Sequence, residues 1–336
     1  MGDILVSCVR YVKSTLLTGR PIEGHFPPGV FRMTNPSVTI GLPVFNGENF
    51  LEKAIGSVLA QEYRDFELII RDNASSDRTE QIGRSAAASD PRIQYIRSPE
   101  NLGAAPNFNA ILPLARGRYF KWLAHDDMMA PSFLSRCIEA LEQNPDCVLA
   151  CPRIRFVDAD GQPIEDYVSP FDTGNPDPNV RFRETLHGHR CFEVFGVIRL
   201  AELRKTRLIG SYKHGDGVLL SHLALLGRFA EVPEYLFLSR RHEGQSMYVY
   251  GITNARAKED HEAYARWFDV ANARKAPLNF TRRLGEYRWM IAATRLSLRR
   301  RLGLYRSVFD WALSQRYRIR KEWAKTLQTR SGRTAQ

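Results

Sequence analysis

The sequence has no run approaching 18 consecutive apolar residues, so no transmembrane helix is expected. Its first residues lack a continuous apolar core followed by a small-residue cleavage site, which speaks against a secretory signal. Cysteine is scarce, at five in 336 residues. The number is odd and no pair stands in C-x-x-C spacing. Cys147 and Cys151 are close in sequence, but no His-rich cluster completes a zinc site around them. Cys8, Cys137, Cys147, Cys151 and Cys191 therefore read as reduced thiols of a cytoplasmic protein. There is no internal repeat and no low-complexity tract.

What is present is the composition of a globular protein, 43% hydrophobic and 25% charged. The length suits one large α/β domain with an appendage, or two modest domains. The net charge of +11 is unevenly spread. Residues 271–336 hold 17 Lys/Arg against 3 Asp/Glu, so the rest of the chain is slightly acidic. A basic tail on an acidic body points to an anionic partner at the tail: a membrane surface or a polyanionic acceptor, with nucleic acid less favoured.

Residues 1–33 show no periodicity and read as an irregular N-terminal arm. Met33 stands directly before the ordered pattern, so the arm is either real or a non-native extension. From Ser37 onward, apolar β-branched runs alternate with helical spacing. Strands are expected at 38–44, 66–70, 93–96, 119–123 and 148–157, and helices at 49–59, 77–88, 105–115 and 131–143. Residues 170–190 read as a loop, 192–198 as a strand, 217–226 as a helix, and 229–232 and 235–239 as two short strands. Residues 246–336 read as a basic helical C-terminal region with interleaved aromatics. The fold class is therefore α/β, a Rossmann-like, mainly parallel sheet flanked by helices.

In such sheets ligands sit beyond the carboxyl ends of the strands. Asp72 and the pair Asp126-Asp127 both fall at such ends. Adjacent carboxylates repel, and a bound cation relieves the cost; oxygen ligands favour Mg²⁺ or Mn²⁺. The competing reading of Asp126-Asp127 is a helix N-cap before Pro131. Phe45 either stacks on a base or fills the end of a strand. Asp77 reads as a cap. Asp216 precedes a helix, as cap or as catalytic base.

Pro43-Val44-Phe45-Asn46, Asp72 to Asp77 with Arg78-Thr79, Asn101-Leu102-Gly103, and Gly117-Arg118-Tyr119 leading to Asp126-Asp127 and Pro131 together resemble the inverting glycosyltransferases of family 2, with the GT-A fold. The resemblance covers about residues 37–160, weakens to 245 and is absent from the tail. It implies a GT-A domain at 34–245, with a nucleotide-binding half at 34–130 and an acceptor half at 131–245. It implies that Pro43, Phe45 and Glu48 border the nucleotide and that Asp72 recognises the base. Asn101 and Gly103 lie beside the nucleotide, and Asp126 belongs to the D-x-D element with Asp127 beside it. It further implies Arg241 at the diphosphate, His242 as a third metal ligand beside Asp126 and Asp127, and Asp216 as the base. Two departures stand out. Ala124 replaces the first acid of the D-x-D element, and Phe108 replaces the arginine of the family's Arg-Asn pair.

The function implied is a metal-assisted, inverting hexosyltransferase-type reaction from a nucleotide-sugar donor, a UDP-sugar by default. The acceptor is a glycan or lipid-linked hydroxyl in cell-surface polysaccharide or lipopolysaccharide synthesis. The enzyme is expected in the cytoplasm, with the tail either touching the inner face of the membrane or packed as a helical cap. A nucleotidyltransferase is disfavoured, because Asn46-Gly47-Glu48 is not a glycine-rich phosphate loop with a basic residue. The alternative from another class is a non-catalytic GT-A-like protein that binds nucleotide, or a membrane through its basic tail.

Overall fold

The computed structural model describes residues 35–186, 190–245, 261–272 and 279–331. The arm at 1–33, Cys8 and residues 246–260 at the start of the tail lie outside the described residues. The first strand, β1 (Val38–Val44), is buried along its whole length. Such a run, apolar on both faces, belongs at the centre of a parallel sheet. It is followed by α1 (Leu51–Leu59), which presents Leu51, Ala54, Ile55 and Val58 to the core at helical spacing. Next come β2 (Phe66–Asp72), α2 (Thr79–Ser89), β3 (Ile93–Arg97), α3 (Ala104–Asn109), β4 (Tyr119–Trp122) and the two-residue β5 (Met128–Met129). The second half comprises α4 (Phe133–Gln143), β6 (Cys147–Val157), β7 (Pro163–Tyr167), α5 (Pro178–Leu186), β8 (Val197–Arg199), α6 (Leu200–Leu203), α7 (Gly215–Leu226) and β9 (Arg228–Arg240). Four helices close the described chain: α8 (His261–Phe268), α9 (Asn279–Ala293), α10 (Leu298–Ser314) and α11 (Arg316–Ser331).

The sheet runs β3-β2-β1-β4-β8-β6-β9-β5, with β7 paired to β6. The strands β3, β2, β1 and β4 are parallel. The short β8 is antiparallel to both β4 and β6, and β6 and β9 are parallel again. The sheet is thus mixed around a parallel half, flanked by helices, with the helical C-terminal extension in place. The Asp160-Gly161 turn, with Gly161 at φ +94°, joins β6 to β7 as a hairpin.

Four details differ from the sequence reading. Residues 192–198 are not one strand: Phe192–Phe195 is a 3₁₀ turn and only Val197–Arg199 pairs. The turn is held because the Phe195 ring stacks on Phe237 and Lys121 Nζ donates to the Phe195 carbonyl at 2.5 Å. The two strands expected around Pro233 form one, β9, because the register shifts on β6 absorb the residue that has no N–H. The loop at 170–190 contains α5, whose Arg181 donates to the carbonyls of Asn175 and Ala224. The helix expected at 105–115 breaks after Asn109, and a 3₁₀ turn follows at Leu112–Leu114.

The tail helices bury an apolar face against the rest of the chain. Tyr287, Met290 and Ile291 of α9 and Leu304, Val308 and Trp311 of α10 form one cluster with Phe182, Leu186, Val218 and Leu225. Among the described residues, no helix is long and apolar enough to cross a membrane.

Candidate active site

The loops at the carboxyl ends of β1, β2 and β3 are laced by side chains. Asn46 accepts the Ser76 N–H at 2.9 Å, while its own N–H donates to Ser75 Oγ at 2.9 Å. Gly47 N–H donates to Thr79 Oγ1 at 2.8 Å. Asn73 ties all three loops: its N–H reaches the Val44 carbonyl, its Nδ2 donates to Asn101 Oδ1 at 2.8 Å, and its Oδ1 accepts from Leu102 N–H at 2.9 Å. Asn101 Oδ1 also receives the Gly103 N–H at 2.9 Å. This fixes the Asn101-Leu102-Gly103 loop beside the end of β1. Asn46 and Ala74 hold left-handed φ values of +51° and +63° within this lacework. Such strain persists only where surrounding contacts over-determine it.

These loops border a crevice of about 380 Å³. Pro43 and Val44 line it from the end of β1, Phe45 and Asn73 from just beyond β1 and β2, Asn101 and Gly103 from the next loop, and Ala104, Asn107 and Phe108 from α3. His125 closes one side, and Ala263, Arg266 and Trp267 of α8 close another. Pro43, Phe45, Asn101 and Gly103, which the sequence reading assigns to the nucleotide, thus line one crevice.

Asp72 and Glu48 do not line this crevice. Asp72 is fully buried, and its carboxylate is taken up by Ser75 N–H (2.9 Å), Tyr95 Oη (2.5 Å) and Arg97 Nη1 (2.7 Å). Burial and the neighbouring Asp72 push the Tyr95 hydroxyl well above its ordinary range, so it stays a donor to that carboxylate. Glu48 Oε2 accepts from the Arg78 N–H and Nε, latching one loop to the next. The residue that lines the crevice here is Asn73, the first beyond β2 and next to Asp72.

Asp126 and Asp127 are both buried but have opposite environments. His242 Nε2 lies 3.1 Å from Asp126 Oδ2. Burial alone would raise the Asp126 carboxyl, but the His242 hydrogen bond and the charges of His125 and His242 outweigh it and hold it below the ordinary range. Asp127 turns to β9, where its Oδ1 accepts the Arg240 N–H at 2.9 Å. Burial, then the adjacent Asp126 charge, push Asp127 well above the ordinary carboxylate range. The negative charge is therefore favoured on Asp126 over Asp127. Beneath it the buried Lys121 is pushed down to about 7 by burial.

Asp126 offers a carboxylate oxygen, and His242, once its Nε2 proton is displaced, would offer a nitrogen donor beside it. That set fits a divalent cation whose other positions are filled by phosphate oxygens and water. Arg241 extends over the Phe156 ring at 4.0 Å, and its Nη1 donates to Gln245 Oε1 at 3.1 Å. The Phe192 ring also lies near its guanidinium, at 5.8 Å, and Phe192 follows Cys191 in the chain.

Cys191 leads to Asp216. Helix α7 begins at Gly215, so His214 is the cap residue and Asp216 stands within the first turn. Cys191, His214 and Asp216 bring their ligand-type atoms within 4.8 Å of one another, the one such trio among the described residues. The Cys191 thiol is pushed well up by burial and by the Asp216 charge, so it stays protonated and hydrogen-bonds to Asp216. A neutral thiol is a poor metal ligand, and the trio reads as a hydrogen-bonded seat for Asp216. Cys191 and His214 both hold left-handed backbone, at φ +55° and +68°. The loop before α7 is pinned from α3: Asn109 Nδ2 donates to the Ile209 carbonyl at 2.8 Å, and Ile209 N–H returns to Asn109 Oδ1 at 3.2 Å.

Three crevice residues, Asn107, Arg266 and Trp267, are not singled out by the sequence reading. Asn107 stands next to the Phe108 that breaks the expected motif. Trp267 is visible in the sequence only as one of several tail aromatics.

The family model "Glycosyl transferase family 2" matches residues 39–196. A relative from Haemophilus influenzae named as an uncharacterized glycosyltransferase is 32% identical over 184 residues, covering 55% of this chain and 70% of the relative. A similarly named protein of Rickettsia prowazekii is 36% identical over 119 residues, 35% of this chain and 36% of its own. The chain thus spans about a third of the length of the first curated relatives it matches. Among solved structures, S. aureus TarS 1-349 in complex with UDP aligns with TM-score 0.51 at 14% identity, covering 89% of this chain and 92% of that one. The likeness is one of fold.

Proposed function

The chain belongs to glycosyltransferase family 2, and on that premise we propose that it transfers a sugar from a nucleotide-sugar donor to an acceptor hydroxyl with inversion at the anomeric carbon. The single observation that carries this reading is the pairing of a charged, buried Asp126 with His242 beside a crevice at the carboxyl ends of the parallel strands. The nucleotide lies in the crevice against Phe45 and the Asn73–Asn101 bridge, and its diphosphate points to Asp126. Mg²⁺ or Mn²⁺ held there by Asp126 and His242 would neutralise the charge that develops on the leaving diphosphate. Arg241 supplies a further cation to that group. Asp216 takes the proton of the acceptor hydroxyl as its oxygen attacks the anomeric carbon and the bond to the diphosphate oxygen breaks. Asp127, bound to β9 through the Arg240 N–H, positions the Asp126 loop.

The donor is a UDP-sugar and the acceptor a glycan or lipid-linked hydroxyl of the cell envelope. Membrane contact is supported by α10, whose Leu298, Leu302, Tyr305 and Phe309 are exposed on one face beside the exposed Arg299, Arg300 and Arg306. Apolar stripes flanked by arginine bind anionic bilayers. Sedimentation with phosphatidylglycerol vesicles is expected, together with its loss in Leu302→Glu/Phe309→Glu. Equal sedimentation of that variant would remove the tail from the account.

The reaction itself is tested by incubating the protein and Mn²⁺ with a panel of nucleotide sugars, with water or an added alcohol as acceptor. Proton NMR of the anomeric signals is expected to show one donor consumed and the first-formed product in the opposite configuration. Retained configuration would refute inversion. Consumption of none would favour the non-catalytic alternative.

A further inference from the structure

The helix α8 lies far beyond the family match, yet it meets the crevice. Val270 N–H donates to the Leu102 carbonyl at 3.3 Å. Gly103, at φ +91°, is so close to this segment that an added Cβ would stand 2.7 Å from the Asp269 Cα and 3.0 Å from the Phe268 carbonyl carbon. Only glycine permits both that backbone and that approach. The contact presents Trp267 and Arg266 to the space above Phe45.

Two side chains point to what occupies that space. Arg266 is exposed on the crevice and, among the described residues, has no ion pair or hydrogen bond, so its guanidinium is available to an anion there. On the opposite wall Asn107 is 3% exposed. Its Nδ2 donates to the Arg71 carbonyl at 3.0 Å, and its Oδ1 is buried without a partner. A buried amide oxygen in that state calls for an N–H donor. An aromatic wall, an N–H acceptor and a lone guanidinium around one crevice match a nucleobase carrying phosphate.

We propose that α8 completes the nucleotide subsite: Trp267 stacks on the base, Asn107 accepts an N–H from its edge, and Arg266 pairs with the phosphate. The proposal rests on the donor reading above and places part of donor selection in the C-terminal extension. Phe45, 40% exposed, faces the same space from just beyond β1.

The test uses the full chain with Mn²⁺. UDP, GDP, ADP and CDP are titrated calorimetrically, and the tightest is carried to the variants. Trp267→Ala is expected to weaken it about tenfold or more, the scale of one base–aromatic stack. Trp267→Phe is expected to keep near wild-type affinity but to lose the nucleotide-dependent change in tryptophan fluorescence, which a purely structural role would not produce. Arg266→Gln is expected to weaken the diphosphate by about tenfold while leaving the unphosphorylated nucleoside unchanged. Unaltered affinity in Trp267→Ala and Arg266→Gln, with wild type binding normally, overturns the proposal and leaves the donor reading standing. A folded wild type that binds none of the four overturns both.

Discussion

Asp126→Ala is expected to abolish metal-dependent donor binding and to reduce transfer by about 10³-fold or more, the scale of losing a cation that stabilises a leaving diphosphate. The expectation follows from the division of labour between the two adjacent acids. Asp126 is held below the ordinary carboxylate range with His242 against it, whereas Asp127 is pushed above that range by burial and the Asp126 charge and accepts the Arg240 N–H. Ala124 stands where the sequence reading expects another acid, and Asp127 is turned to β9, so neither replaces the lost ligand. Asp127→Asn should therefore retain most of the metal-dependent binding, because the amide oxygen still accepts from Arg240. Donor titrations of both variants with and without Mn²⁺ check this. Equal loss in the two would mean that Asp127 turns toward the metal and shares in holding it.

Asp216→Asn is expected to leave donor affinity unchanged and to lower kcat by about 10²–10⁴, the range for removing a general base. The amide is the same size, and its oxygen still accepts the Gly217 N–H that Asp216 Oδ1 accepts at 2.8 Å. A fold defect is therefore not expected, and circular dichroism should confirm it. What the variant loses is the capacity to take a proton. Near-normal turnover would remove Asp216 from the base role, and a parallel loss of donor affinity would give it a binding role instead.

The parallel half of the fold was legible because its strands are short apolar runs ended by turns, as in Val38–Val44 and Phe66–Asp72. Elements made by tertiary contact were not. Nothing local marks α5 as a helix; Phe182 and Leu186 stabilise it by packing on α7, α9 and α10. Pro233 divides a strand in the sequence that β6 keeps whole in the sheet. At the site, motif order alone grouped Pro43, Phe45, Asn101 and Gly103, and they line one crevice. Asp72 and Asn73 could not be told apart, because alternation decides which of two neighbours faces the crevice, and the Tyr95–Arg97 pair that holds Asp72 comes from β3. The approach of α8 to Gly103 joins segments more than 160 residues apart, and no spacing rule reports it.

The central claim is that a nucleoside diphosphate binds in the crevice with a cation held at Asp126. Calorimetric titration of the wild-type chain with nucleoside diphosphates, in Mn²⁺ and then in EDTA, tests it most directly. One nucleotide should bind in Mn²⁺ and lose most of its affinity in EDTA. Binding of equal strength in EDTA, or no binding of any nucleotide by the folded protein, would contradict it.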